Sequence, residues 1–177
     1  MPLRFDSDPR PETFQVLQFA LDAPIFIIAG ADASFQRRTA LHWLPDQKRA
    51  VPCTHEDCPW CPTPIRMATY LPALAYSTSL RVWKQKVLPL TESMEEFLTV
   101  QHVGKIFEFV RRGRKNAPVR WSQCEHLPKP QPFAGFDVLP SLLKVWGMYA
   151  SAKRTKARPD ADALRLFNDD DELAGVG

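Results

Sequence analysis

The chain has 177 residues, 45% of them hydrophobic, and a net charge of +3. That length fits one domain with tails, and the apolar fraction excludes a wholly disordered chain. No run approaches the length of a membrane span, and the opening "MPLRFDSDPRPE" lacks the apolar centre of a secretory signal. The expected location is cytoplasmic, where thiols stay reduced and a disulfide framework is not expected from the four cysteines. Charge is unevenly spread. From Asp160 to the end six acidic residues stand against one basic residue, a net −5, which leaves +8 on the rest. A basic body suits a polyanion ligand, and an acidic tail suits a separate task.

In chain order, residues 1–12 are rich in proline and charge and read as a flexible arm. Residues 13–29, "TFQVLQFALDAPIFIIA", mix β-formers with short apolar runs and read as one or two strands. "RTALHWL" (38–44) is a further strand that leads into a cysteine cluster. "RMATYLPALAY" (66–76) is strand-like, because Pro72 would interrupt a helix. In "LRVWKQKVLPL" (80–90), alternation puts Arg81, Trp83, Gln85 and Val87 on one face. "TESMEEFL" (91–98) reads as a short helix capped by Thr91 or Ser93. "GKIFEFVRRGRKNAPVRWSQC" (104–124) reads as strand, turn, strand. Leu139, Leu142, Leu143, Trp146 and Ala150 recur at helical spacing within 137–153, and Asp137 can cap that helix. The expected organisation is the arm, a domain over 13–152 and a charged, acidic C-terminal tail over 153–177. The fold class is mainly β with one or two helices.

The cluster "VPCTHEDCPWCPTP" (51–64) holds three cysteines. Cys58 and Cys61 form a C-x-x-C pair, and Cys53 lies five residues before it. Two thiolates two residues apart in a tight turn can point at one ion, and three thiolates with one imidazole complete a tetrahedral zinc shell. Spacing leaves the fourth ligand open among His55, His42 and Cys124. A redox pair is the weaker reading, since Pro62 and Pro64 deny the helix N-terminus that such thiols use. A zinc deaminase is excluded by pattern, because His55 is followed directly by Glu56. A cysteine-rich shell is normally closed, so a structural zinc is expected.

Cations and aromatics interleave elsewhere. Lys105, Phe107, Phe109 and Arg111 alternate on one strand face, followed by Arg112, Arg114, Lys115, Arg120 and Trp121. Trp83 sits beside Lys84 and Lys86. Rings that stack on bases and cations that meet phosphates are what single-stranded nucleic acid requires. The competing reading puts Phe107 and Phe109 in the core, since periodicity does not say which face is buried.

The order His42, Cys53, Cys58-Pro-Trp-Cys61, an aromatic strand, a Trp-bearing strand and "GKIFEFVRRGRK" resembles the zinc-containing single-stranded-DNA-binding proteins of T-even phages. The resemblance covers roughly residues 38–124 and the tail, in order rather than in strict spacing. It implies an OB-fold-like barrel with an inserted zinc knuckle, and His42 as the histidine ligand beside Cys53, Cys58 and Cys61. It places Gly104, Lys105 and Phe107 on the family's basic aromatic strand. It also implies single-stranded DNA as ligand, work in replication or recombination, and an acidic tail for partner proteins. The Cys53–Cys58 interval is shorter than in that family, and residues 1–12 lack its basic arm. On this reading the chain is not an enzyme and takes neither a membrane nor a small-molecule substrate. The alternative is a zinc-knuckle protein-interaction or transcription and replication accessory module. A zinc enzyme ranks last, because no catalytic triad, paired-carboxylate or phosphate-loop constellation is visible.

Overall fold

The computed structural model describes residues 11–99, 102 and 104–148. Most of the expected arm, and the whole expected tail over 153–177, lie outside these residues. Among these residues seven strands form: β1 (Ile25–Ala29), β2 (Arg37–Leu44), β3 (Arg49–Pro52), β4 (Ile65–Ser77), β5 (Val82–Thr91), β6 (Ile106–Val110) and β7 (Arg120–Cys124). Two short helices, α1 (Glu96–Thr99) and α2 (Leu139–Val145), accompany them. All strand pairings are antiparallel within one sheet, in the order β3-β2-β4-β1-β6-β7, with β5 also on β4.

The 13-residue β4 organises this sheet. Along one edge it pairs with β5 from Ala68 to Ser77. Along the other it pairs first with β2, from Ile65 to Tyr70, and then with β1, from Ala73 to Ala75. Pro72 falls in the gap between those two partners. A residue in a strand directs its N–H and C=O to the same edge, and the Pro72 carbonyl accepts from the Gly30 N–H at 2.8 Å on the β1 side. The donor that proline lacks would therefore point into the gap, so a mid-strand proline costs no ladder bond here.

The expected OB-type barrel is not closed. β3 and β7 end the strand path without pairing to each other. The outer edge of β5 instead receives residues 15–17, where Leu17 N–H donates to Val87 O (2.8 Å) and Val87 N–H donates to Gln15 O (3.0 Å). The same segment then reaches the end of β6, where Asp22 N–H donates to Arg111 O at 2.7 Å. Residues 13–29 thus supply one strand and a strap. β3 was not anticipated, being four residues long and ending in proline.

Core side chains pack against both sheet faces. On one, Ile27, Leu71, Leu88, Leu90, Phe107 and Phe109 pack under Met94 and Phe97. Those last two come from the expected 91–98 helix, which forms as a single 3-10 turn over Glu92–Met94 followed by α1. Thr91 occupies its cap position without a capping side-chain bond. On the opposite face α2 sets Val138, Leu142 and Trp146 against Leu41, Tyr70 and Val87. Asp137 accepts the Leu139 N–H at 3.0 Å at the start of α2. Beyond its end, Arg49 Nη1 meets the Trp146 carbonyl at 3.0 Å and fills the space that a Cβ on Gly147 would need.

Phe107 and Phe109 are core side chains, 3% and 0% exposed. The expectation that they stack on bases is overturned. Phe109 lies against Phe97 at 5.1 Å, Phe19 at 5.8 Å and Trp121 at 6.3 Å between ring centroids. Its truncation leaves a cavity that these rings cannot fill. Phe109→Ala should cost ~3–5 kcal/mol of folding free energy in denaturant titrations. A wild-type midpoint and slope would refute this core assignment.

Candidate metal centre

His42 sits on β2 next to Leu41. Neighbouring strand residues point to opposite faces, so with Leu41 packed toward α2, His42 turns to the other side, where it is 0% exposed. The cysteines reach it by way of β3 and a knuckle. Cys53 N–H donates to Ala40 O at 2.8 Å, which keeps the first sulfur beside the sheet. The chain reverses at His55, whose φ of 60° lies in the left-handed region. A 3-10 turn over His55–Asp57 follows. Cys58 N–H then bonds His55 O (3.3 Å), Cys61 N–H bonds Cys58 O (3.2 Å) and Thr63 N–H bonds Trp60 O (2.8 Å). The knuckle leaves the sheet at Pro52, opposite Leu41, and returns at Ile65, opposite His42. Its two ends are thus anchored next to the histidine it encloses.

One ligand atom from each of His42, Cys53, Cys58 and Cys61 lies within 4.8 Å of every other, close enough to hold one metal ion. Cys53 Sγ is 3.7 Å from Cys61 Sγ, and Cys58 Sγ is 3.4 Å from His42 Nε2. His55 contributes backbone only: its N–H faces Cys53 Sγ at 3.4 Å and its carbonyl takes the Cys61 thiol at 3.6 Å. Its exposed ring is outside the group. Cys124 is also outside, on β7, with its sulfur 3.3 Å from His126 Nδ1. Among the alternatives that spacing left open, the fold gathers His42.

The cluster is short of positive charge. Burial raises the Cys58 thiol, but hydrogen bonds from the Thr54 and Trp60 backbone, then from the Thr54 side chain and Cys53, outweigh it and bring it down to about 6. Cys61 is pushed up to about 11 by its hydrogen bond with Cys53, then by burial and by the two neighbouring sulfurs. The neighbouring sulfurs thus oppose the ionisation of Cys61. A divalent cation relieves that conflict, so the donors present fit a metal ion.

The residues expected to meet nucleic acid separate into groups. Trp83 is half-buried on the face of β5 that carries Val87 and, further along, α2 (the outer face), and its Nε1 donates to Pro128 O at 3.0 Å. Lys84 and Lys86 alternate to the other face, and Lys86 Nζ donates to Gln15 Oε1 at 2.6 Å. Lys105 is half-buried just before β6. Arg111 is turned back on its own loop, with Nη1 donating to Lys115 O at 2.7 Å. Arg112, Arg114, Lys115 and Arg120 are exposed around the β6–β7 hairpin, Arg112 lying 4.0 Å from Glu108.

Sequence reasoning missed three rings on the outer face. Phe26 packs with Trp83 against Ile28, Ile106 and Cys124, Tyr76 lies 5.1 Å from Trp83, and His126 meets Phe26 edge-on at 5.8 Å. Phe26 was hidden in the all-apolar run "IFIIA", where no polar alternation marks an outer face.

The purified chain should contain one metal ion. Cys58→Ser and His42→Ala should lose it and melt at lower temperature, because metal binding is folding energy for the knuckle. His55→Ala should keep it. Elemental analysis beside melting curves measures both, and retention of metal by Cys58→Ser would disprove the centre.

No helix among the described residues is long and apolar enough to cross a membrane. Compared with family models, curated proteins and solved structures, the chain finds no match.

Proposed function

We propose that this chain is a non-enzymatic single-stranded-DNA-binding protein folded around a structural zinc ion. Zinc suits the donor set. Metal–sulfur bonds of about 2.3 Å around a tetrahedral ion put neighbouring ligand atoms roughly 3.8 Å apart. The observed 3.7 and 3.4 Å contacts are close to that spacing. Three sulfurs and an imidazole fill the four positions and leave none for a reacting water, which favours a structural over a catalytic ion. When bound, the ion would contribute folding energy to the knuckle through His42, Cys53, Cys58 and Cys61.

The observation that carries the binding reading is the aromatic group Phe26, Tyr76, Trp83 and His126 on one sheet face, in a chain whose β6–β7 hairpin exposes Arg112, Arg114, Lys115 and Arg120. Rings held by their neighbours offer stacking surface at little entropic cost, and the hairpin cations would neutralise phosphate. On this reading the open sheet stands in for the partly open barrel of an OB-fold, whose strand face binds oligonucleotides. The segment from Asp160 onward is acidic and would repel phosphate, which suits partner proteins instead.

Binding of a single-stranded oligonucleotide across a range of salt concentrations tests this. Arg114→Ala should reduce the log–log salt slope by roughly 0.7, the counterion release of one phosphate contact. Trp83→Ala should weaken binding by ~1–3 kcal/mol and leave the slope nearly unchanged. Melting curves of both variants separate lost contact from lost fold. Wild-type affinity and slope in both would remove the DNA reading and favour a protein-interaction module.

A further inference from the structure

Thr63, two residues beyond Cys61, is outside the four-donor group, yet its hydroxyl touches that group's histidine. Thr63 Oγ1 lies 2.9 Å from His42 Nδ1 and 2.7 Å from the Trp60 carbonyl oxygen. A hydroxyl has one proton to give. Two oxygens with no proton between them would repel at 2.7 Å, so that proton goes to the Trp60 carbonyl, which can only accept. Toward His42 the hydroxyl then offers a lone pair, and Nδ1 must carry the hydrogen. A neutral imidazole has one N–H. Nε2, which faces Cys58 Sγ at 3.4 Å within the donor group, is thereby left with its lone pair free.

We infer that Thr63 is a positioning residue: it holds His42 as the Nδ1–H tautomer and aims Nε2 at the metal. This rests on the metal-centre reading and adds a residue to it. The geometry explains how the knuckle orients a ligand that belongs to a different element. His42 comes from β2, whereas Thr63 and Trp60 belong to the loop that carries Cys58 and Cys61. Thr63 N–H also donates to the Trp60 carbonyl at 2.8 Å, so the turn that bears the hydroxyl is closed on the same oxygen. With the His42 side chain buried, an Nδ1–H that lost the Thr63 hydroxyl would lose its protein partner.

The test compares wild type, Thr63→Val and Thr63→Ser as full chains. Valine keeps the branched shape and removes the hydroxyl, whereas serine keeps the hydroxyl. In competition with a chromogenic chelator, Thr63→Val should bind zinc at least about 10-fold more weakly, and Thr63→Ser should stay within about threefold of wild type. Long-range proton–nitrogen NMR of the zinc-loaded wild type should find the hydrogen of His42 on Nδ1 and the metal on Nε2. Equal zinc affinity of the valine variant, failure of the serine variant to recover, or metal on Nδ1 would each overturn the inference. If wild type takes up no zinc, the metal-centre reading fails by itself. The His42 tautomer of the purified protein then decides the role of Thr63: Nδ1–H sustains it and Nε2–H overturns it.

Discussion

Convergence of four donor atoms within 4.8 Å is the constraint on which the knuckle, and with it one end of the sheet, depends. The loop from 53 to 64 has little to bury. Its apolar support is a small cluster in which Cys53 and Cys58 pack with Ala40 and Met67. Pro59, Pro62 and Pro64 remove backbone donors from it, and Trp60 is 38% exposed. A segment of that kind cannot offset its ordering entropy by hydrophobic contact alone. What it has instead is a histidine from β2, a first cysteine hydrogen-bonded to the same strand, and a hydroxyl that pins the histidine ring.

A second constraint lies at the middle of β4, where one strand serves β5 on one edge and two successive partners on the other. The crossing point is crowded. A Cβ on Gly30 would lie 2.9 Å from Ala134 O and 3.0 Å from Pro72, and one on Gly135 would lie 2.8 Å from Phe35. Gly135 also has φ of +135°, outside the range of ordinary side chains. These glycines let the chain after β7 cross the sheet at Pro72. Ala31 N–H donates to Phe133 O and Asp32 N–H to Ala134 O there. The crossing brings residues 136–146 onto the face where α2 packs. The same stretch, through Leu127 and Pro128, supports Trp83 at the other end of that face. The packing that seats α2 and the packing that presents the rings therefore share one chain segment.

The division of the two faces carries the functional consequence. The face with Phe107 and Phe109 is filled by α1, the turn before it and the strap. The rings left at the surface are on the opposite face, together with Arg120, whose register partner is Val110. On the proposed DNA-binding reading, a polyanion meets the β6–β7 hairpin and this face, with Lys84 and Lys86 turned away on β5.

Much was legible in the residues. Alternation marked β5 and β6 to within two residues, because period-2 patterning follows from strand geometry whatever the fold, and Pro72, which would interrupt a helix, marked β4. The spacing of Cys53, Cys58 and Cys61 marked the metal cluster, because a C-x-x-C turn is a local arrangement. The extent of α2 was overestimated among the described residues, since Trp146 keeps helical spacing while Gly147, at φ +72°, has already turned the chain. Choices between distant partners were not legible in local spacing, and His42 as ligand came only from the resemblance to the phage proteins. His42 joins the cluster in place of His55 because β2 delivers it from outside the loop, and no local spacing records that. Phe107 and Phe109 are core because α1 and Leu17 and Phe19 of the strap cover their face. Alternation decides that two faces differ, and only the elements packed against a sheet decide which of them is buried.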